Sequence, residues 1–233
     1  MIQIRKSDER GKADHGWLHS RHTFSFAEYH DPDFMGFGVL RVINEDQIEP
    51  GTGFGTHGHQ DMEIVSYVIE GALEHQDSMG NKTIIKPGEI QRMSAGTGVR
   101  HSEYNQSKEL KTHFLQIWIF PDKRGYEPSY GQMNFESKFT NNAFALLASK
   151  QGRDDSIGIN QDADIYLGRA QSAVDIEHRT HGPRNIWIQV IKGSVTVLGE
   201  TLSAGDGAAI SNEQHLAMHA QQGTDFLLFD MPV

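Results

Sequence analysis

Short runs of β-branched and aromatic residues, separated by glycine, account for most of the sequence. Residues 62–69 and 112–120 are two such runs, and their composition is typical of β-strands. Twenty-four glycines divide the chain into runs of this kind, and long amphipathic patterns are scarce. A short helix is permitted only at 143–150, where an extended segment fits equally well. The pattern therefore predicts an all-β protein built as a sandwich or a barrel.

The sequence also carries a weak internal repeat. Each copy has a strand-like run that ends at glycine, a turn with glycine before an acidic residue, and a Phe-Leu run that ends at proline. These features fall at Gly71, 87–89 and 114–121 in the first copy and at Gly193, 204–206 and 226–232 in the second. We therefore predict two related β domains, 1–135 and 136–233, with an irregular polar connection over 122–142.

Charge and composition narrow the class of protein. The 233 residues include 31 acidic and 21 basic side chains, for a net charge of −10, and the basic residues are dispersed. Because a protein that grips phosphates needs a basic face, we expect no direct binding of nucleic acid. No run approaches the roughly 18 apolar residues of a membrane span, and the N-terminal residues lack the apolar segment of a signal peptide. We therefore expect a soluble, cytoplasmic protein with no membrane partner.

Two short motifs carry the candidate chemistry. His57 and His59 are two residues apart, and so are His101 and Glu103, whereas the absence of cysteine excludes a thiolate site. On a β-strand, residues two apart point to the same face. If the two strands face each other inside a barrel, three imidazoles and one carboxylate converge. That set suits a divalent first-row transition metal with coordination positions left open for a substrate.

The surroundings of these motifs resemble the cupin pattern. The first motif runs from Gly51 through the histidine pair to Glu63 and Gly71, and Gly71 comes one residue later than in the commonest cupin spacing. The second runs from Gly96 through His101 to Asn105, with glycine at position 96 in place of the usual proline. The resemblance implies a double-stranded β-helix, or jelly-roll barrel.

Further segments are similar to the pirin family, whose members are two-cupin proteins. These segments are 22–26, 31–32, 40–42, 75–78 and 94–98. The resemblance covers essentially the whole chain, is strongest from Trp17 to Pro121, and within the family favours bacterial members with quercetin 2,3-dioxygenase activity. It implies two cupin barrels in tandem.

The pirin resemblance also implies a set of metal ligands, namely His57, His59, His101 and Glu103. Glu63, which corresponds to the ligand in many other cupins, is then a candidate for the pocket. Iron, as Fe(2+), is the usual metal of the family, although the ligand types do not exclude Mn, Co, Ni, Cu or Zn.

The activity implied by the resemblance is that of a metal-dependent dioxygenase, which cleaves a flavonol such as quercetin with O2 and releases carbon monoxide. Glu103 is the candidate base for the flavonol hydroxyl proton. Two alternatives stay open: a regulatory or redox-sensing protein that binds a protein partner, and a cupin with sugar-isomerase chemistry. His75 and His113 either line the pocket or form hydrogen bonds elsewhere, and Phe54, Met93 and Trp118 are candidate pocket residues.

The second unit departs from the metal-binding pattern. His178 and His181 are three residues apart, so on one strand they face opposite sides. No His-x-Glu pair follows the turn at 204–206. We therefore predict that this unit lacks a metal site, and that its histidines lie at the surface or form hydrogen bonds.

Overall fold

Almost all regular structure is β-strand, as the glycine-separated runs predict. The structure is a computed structural model that describes residues 1–140 and 143–233. The first strands are β1 (Ile2–Arg5), β2 (Gly11–Asp14), β3 (Leu18–His22), β4 (Leu40–Ile48), β5 (Gly53–His59), β6 (Glu63–Glu70), β7 (Leu73–Asp77), β8 (Lys82–Ile85), β9 (Glu89–Ser94), β10 (Val99–Tyr104), β11 (Thr112–Ile119) and β12 (Ser129–Asn134). The later strands are β13 (Phe144–Lys150), β14 (Ile157–Ile159), β15 (Asp164–Ala170), β16 (Val174–Arg179), β17 (Asn185–Lys192), β18 (Ser194–Val197), β19 (Glu200–Ser203), β20 (Gly207–Ser211), β21 (His215–Ala220) and β22 (Thr224–Met231). Short 3-10 helices lie at Ser7–Glu9, Glu136–Phe139 and Arg153–Asp155.

The chain forms two compact units that interleave along the sequence. The N-terminal unit comprises Gly11–Phe135 and Ile157–Gln161, and the C-terminal unit comprises Met1–Arg10, Glu136–Ser156 and Asp162–Val233. The first residues join the C-terminal unit because β1 pairs antiparallel with β20. The predicted domains 1–135 and 136–233 differ from these units at 1–10 and 157–161. The reason is that a sequence pattern can predict a strand but not the strand with which it pairs.

The N-terminal unit consists of two sheets whose apolar faces pack against each other. The larger sheet has the strand order β12-β9-β6-β11-β4-β3-β2, and the smaller one has the order β5-β10-β7-β8. Both sheets contribute to a buried apolar cluster that is formed by Leu18, Ile48, Val68, Leu73, Ile85 and Phe114. Because the apolar faces of both sheets meet in this cluster, the unit is a jelly-roll sandwich of the cupin type.

The C-terminal unit repeats the same order of strands. Its larger sheet runs β1-β20-β17-β22-β15-β13 and its smaller sheet runs β16-β21-β18-β19. Strands β20-β17-β22-β15 correspond in order to β9-β6-β11-β4, and β16-β21-β18-β19 correspond to β5-β10-β7-β8. The prediction of two tandem cupin barrels is therefore confirmed, and β1 takes the edge position that β12 holds in the other unit.

Two local predictions have definite outcomes. The segment 143–150 is extended, because it forms β13. The predicted irregular connection is wrong in part, since β12 lies within it and pairs along its length with β9. The sequence of β12 is Ser-Tyr-Gly-Gln-Met-Asn, which lacks β-branched residues, so the hydrogen bonds to β9 rather than strand propensity stabilise it. Residues 141–142 of the connection lie outside the described residues.

Among the described residues, no helix has the length and apolar character to cross a membrane.

Candidate functional site

The two histidine motifs lie on neighbouring strands of the smaller sheet in the N-terminal unit. Strands β5 and β10 are antiparallel, with His101 directly opposite His57 and Val99 opposite His59. The register then shifts, so that Glu103 lies opposite Phe54. A bulge of this kind re-aims the side chains that follow it. The motifs therefore meet through two neighbouring strands of one sheet, and not through two strands that face each other across the barrel, as the sequence had suggested.

Three imidazoles converge at this point. The side-chain nitrogens of His57, His59 and His101 that could bind a metal form a group whose members all lie within 4.8 Å of one another. The Nε2 atoms of His57 and His101 are 3.1 Å apart. Two nitrogens that bind the same metal at about 2.1 Å are roughly 3.0–3.4 Å apart in octahedral or tetrahedral geometry. The spacing of the two Nε2 atoms therefore fits adjacent positions around one metal ion.

Two imidazoles of this group, those of His59 and His101, are held in the neutral form. Burial, together with the neighbouring imidazoles of His57 and His75, lowers the pKa of His101 to about 3. Burial also lowers the pKa of His59 to about 4, again with contributions from the adjacent imidazoles. A neutral imidazole keeps one nitrogen lone pair, which is the form that binds a metal.

Hydrogen bonds determine which nitrogen of His57 keeps its lone pair. Nδ1 of His57 lies 2.8 Å from the carbonyl oxygen of Gly55. A carbonyl oxygen only accepts, so Nδ1 carries the hydrogen and Nε2 keeps the lone pair.

A longer chain of hydrogen bonds orients His101. Nε2 of His75 lies 3.1 Å from Oδ2 of Asp77, and Asp77 also accepts hydrogen bonds from the backbone of Met79 and from Asn81. Burial raises the pKa of Asp77, but the hydrogen bonds from Asn81 and His75 outweigh it and hold that pKa below its usual value. Asp77 is therefore an ionised acceptor, and Nε2 of His75 is the donor.

The other nitrogen of His75 then accepts. Nδ1 of His75 lies 3.5 Å from Nδ1 of His101, so His101 donates through Nδ1 and keeps the lone pair on Nε2, toward His57. Partners of this kind, in contact with a ligand rather than with the metal, fix the tautomer and the orientation of metal-binding histidines. The sequence left the role of His75 open between lining the pocket and forming hydrogen bonds elsewhere. It did not predict the contact of His75 with Asp77.

Glu103 belongs to a second, overlapping group of potential ligands. Its carboxylate lies near His75 and His101, within the same 4.8 Å limit. Gln116 donates a hydrogen bond of 2.8 Å to Oε2 of Glu103, and Oγ of Ser66 lies 3.3 Å from Oε1. His101 is common to both groups and so connects Glu103 with the three imidazoles.

Two other candidate residues, Glu63 and His113, have hydrogen-bond partners of their own. Ser94 donates a hydrogen bond of 2.8 Å to one carboxylate oxygen of Glu63, and Asn160 donates one of 3.1 Å to the other oxygen. Nε2 of His113 lies 2.9 Å from Glu45. Neither Glu63 nor His113 belongs to the groups of potential metal ligands found among the described residues.

A cavity of about 960 Å³ adjoins the histidines and includes His57, His59 and Glu103 in its lining. Much of the remaining lining is aromatic: Trp17, Phe26, Tyr29, Phe54 and Trp118. Phe54 and Trp118 were predicted to line a pocket, and they do. Met93 does not, since it is fully buried in an apolar cluster with Ile64 and Val99.

In the C-terminal unit, His178, His215 and His219 form ion-pair or hydrogen-bond contacts and His181 is exposed, as the sequence predicts. Nε2 of His178 lies 2.8 Å from Asp230, which Arg184 also contacts. His215 and His219 are exposed and lie beside Glu177 and Asp175. In the part of the chain that the structure describes, both groups of potential metal ligands lie in the N-terminal unit.

Two jelly-roll units with the same strand order, one of which holds a histidine cluster beside a cavity, define a bicupin protein. A family model described as Pirin matches residues 3–119, and one described as Quercetinase C-terminal cupin domain matches residues 146–231. The chain therefore belongs to the pirin family.

Named relatives and solved structures agree with this membership. A protein of Escherichia coli K12 named quercetin 2,3-dioxygenase is 51% identical over 232 residues, which cover 100% of this chain and 99% of that protein. A putative quercetin 2,3-dioxygenase of Pseudomonas aeruginosa is 41% identical, with 99% of this chain and 100% of that protein covered. The crystal structure of the bacterial pirin YhhW from Escherichia coli in complex with nickel(II) superposes with a TM-score of 0.95 at 50% identity, covering 100% and 99% of the two chains. The fold and a site for a divalent metal are therefore supported by a close relative.

Proposed function

We propose that this protein is a metal-dependent dioxygenase that cleaves a flavonol such as quercetin with O2 and releases carbon monoxide. The observation that carries the proposal is the convergence of three imidazoles, two of which line a cavity with many aromatic side chains. The names of several relatives, quercetin 2,3-dioxygenase among them, support the same chemistry. The cavity of about 960 Å³ has the volume range of small-molecule sites.

We propose that His57, His59, His101 and Glu103 hold one divalent metal, and that the metal is Fe(2+). The nickel(II) complex of a pirin that is 50% identical supports a divalent ion in this family without identifying the native one. When bound, such an ion supplies positive charge that lowers the pKa of a coordinated hydroxyl group and holds it beside O2.

The protein side chains have distinct tasks in this proposal. His57 and His101 present their Nε2 lone pairs because hydrogen bonds occupy Nδ1 of each ring. Glu103 accepts the proton of the flavonol 3-hydroxyl, and Gln116 holds its carboxylate in place through the 2.8 Å hydrogen bond. Aromatic side chains such as Phe54 and Trp118 pack against the planar ligand and exclude water.

The test uses full-length protein that has been stripped of metal and reloaded separately with Fe(2+), Ni(2+), Co(2+), Mn(2+), Cu(2+) or Zn(2+). We expect quercetin-dependent uptake of O2, with release of carbon monoxide, for at least Fe(2+). If no ion gives a ring-opened product, the dioxygenase proposal fails. The regulatory alternative, with a protein partner and a structural or redox-sensing metal, then becomes the better explanation.

A further inference from the structure

One wall of the cavity is polar, whereas much of the remainder is aromatic. Ser20 and His22 lie on β3, Asn44 and Asp46 lie on β4, and all four line the cavity. The antiparallel register sets Ser20 opposite Asp46 and His22 opposite Asn44. The four side chains therefore share one face of the sheet, and we call them the polar wall.

The polar wall occupies positions that would suit core residues. Ser20, His22, Asn44 and Asp46 are all buried, with exposed fractions of 3–5%. Along the same strands, buried apolar side chains such as Leu18 and Ile48 follow the same two-residue period. Burial of a carboxyl, a carboxamide and an imidazole costs free energy unless each is hydrogen-bonded, so a barrel that required only packing would be apolar here.

Hydrogen bonds within the polar wall use part of its capacity. The Ser20 hydroxyl donates to Asp46, and its oxygen lies 3.3 Å from Nδ1 of His22. Nδ1 of His22 lies 2.8 Å from Oδ1 of Asn44, so the imidazole donates to the amide oxygen. A carboxyl group and a carboxamide each offer more hydrogen-bonding positions than these contacts occupy.

The environment of Asp46 adds to the hydrogen-bonding capacity of the polar wall. The pKa of Asp46 is raised to about 7, mainly by burial and further by the nearby carboxylates of Glu103 and Glu45. The hydrogen bond from Ser20 opposes this increase. Over part of the neutral range Asp46 therefore keeps its proton, and it can donate as well as accept. A phenolic hydroxyl has the same dual character.

The aromatic side chains of the cavity complement this polar wall. Trp17 and Phe54 pack edge to face with ring centroids 5.1 Å apart, and Phe26 and Trp118 do so at 5.4 Å. Such side chains favour a planar aromatic ligand but do not fix its orientation, which in small-molecule sites is set by a few placed polar groups.

Building on the proposed function, we propose that the polar wall is a binding subsite for phenolic hydroxyl groups. The cavity would then select polyhydroxylated aromatic substrates over the same ring skeleton without hydroxyls. A ligand that lacks the hydroxyls leaves buried polar groups unpaired, and sites built to hydrogen-bond a hydroxyl reject such ligands strongly.

The test compares quercetin with 3-hydroxyflavone, which keeps the 3-hydroxy-4-keto unit and lacks the other hydroxyl groups. Calorimetric titration of full-length, metal-loaded protein under nitrogen measures binding without turnover. We expect quercetin to bind the wild type at least about tenfold more tightly than 3-hydroxyflavone. Asp46→Leu and Ser20→Ala should reduce this ratio by weakening quercetin binding alone. Gln47→Leu, on the exposed face of β4, is the matched control and should retain it.

Equal affinities of the wild type for the two flavonols would overturn the subsite, whether or not the variants fold. Retention of the full preference in both Asp46→Leu and Ser20→Ala would overturn it as well. Oxygen uptake by the same samples separates this proposal from the dioxygenase. A hydroxyl preference without turnover contradicts only the dioxygenase, whereas turnover of both flavonols at equal affinity contradicts only the subsite. Failure to bind either flavonol contradicts both.

Discussion

His101 contacts a histidine through each of its ring nitrogens, with Nδ1 toward His75 and Nε2 toward His57. The spacing rule that predicted the motif pairs also describes His75 and Asp77, which are two residues apart on β7. Their contact could have been proposed from that signal. What the sequence could not supply is that β7 lies beside β10, with His75 opposite Glu103.

The contact between His75 and His101 leads to a prediction about metal affinity. His75→Gln and Asp77→Asn should each weaken metal binding about 10–100-fold, because His101 loses the partner that fixes its tautomer. A competition titration against a chromophoric chelator measures this. His113→Gln is the matched control, since His113 also pairs with a carboxylate, Glu45, in the same unit. Unchanged affinity in both His75→Gln and Asp77→Asn would contradict the assignment.

Asp46 leads to a prediction about stability and pH. Its pKa in the folded protein is raised to about 7, whereas an unfolded aspartate titrates near 3.8. The folded state therefore binds the proton more tightly, so the stability from this group is present below pH 3.8 and is lost as pH rises through 7. Asp46→Asn removes this dependence. The stability of the variant relative to wild type should increase between pH 4 and 7, as measured by urea unfolding of metal-free protein at each pH. A difference that does not vary with pH in this interval would refute the prediction.

At the scale of elements, strand-forming runs were predictable and pairing partners were not. The runs at 62–69 and 112–120 became β6 and β11, because β-branched and aromatic residues fit a buried sheet. Strand β12 was missed, since its side chains are half-buried and its stability comes from β9. The repeat was detectable because each copy needs glycine at the same turn.

Gly71, at the turn between β6 and β7, tests that requirement. Its φ is +78°, and an added Cβ would lie 2.6 Å from the carbonyl oxygen of Lys111. Gly80 has φ of +95° and no atom within 4 Å of such a Cβ, so Gly80→Ala isolates the backbone strain of about 1–2 kcal/mol. Gly71→Ala should lower the free energy of unfolding by clearly more than that. Equal losses in chemical denaturation would show that the steric contact is relieved at little cost.

At the scale of the whole molecule, the two units share a strand order and differ in the side chains that the corresponding strands carry. Strands β5 and β10 bring His57, His59 and His101 together. The corresponding strands β16 and β21 place His178 opposite Leu216, and its ring pairs with Asp230. The sequence predicted this asymmetry from the spacing of His178 and His181 and from the absence of a His-x-Glu pair after the turn at 204–206.

This asymmetry predicts one metal ion per chain. His57→Ala and His101→Ala should each lose the metal and the oxygen uptake together, because two of the three imidazoles then remain. The double variant of His178→Ala and His181→Ala should keep its metal content, although the loss of the His178–Asp230 contact lowers its stability. Elemental analysis of the purified proteins measures the ratio. Two ions in the wild type, with one lost in the double variant, would place a second site in the C-terminal unit.

The pairing of β1 with β20 has a consequence for biosynthesis. Ile2 lies opposite Ile210 and Arg5 opposite Gly207, so each pair joins residues more than 200 positions apart. At a translation rate of about 5–20 residues per second, β1 is synthesised roughly 10–40 s before its partner. During that time its backbone donors and acceptors have only water or a chaperone to bind. The larger sheet of the C-terminal unit therefore gains this edge strand only after β20 has been synthesised.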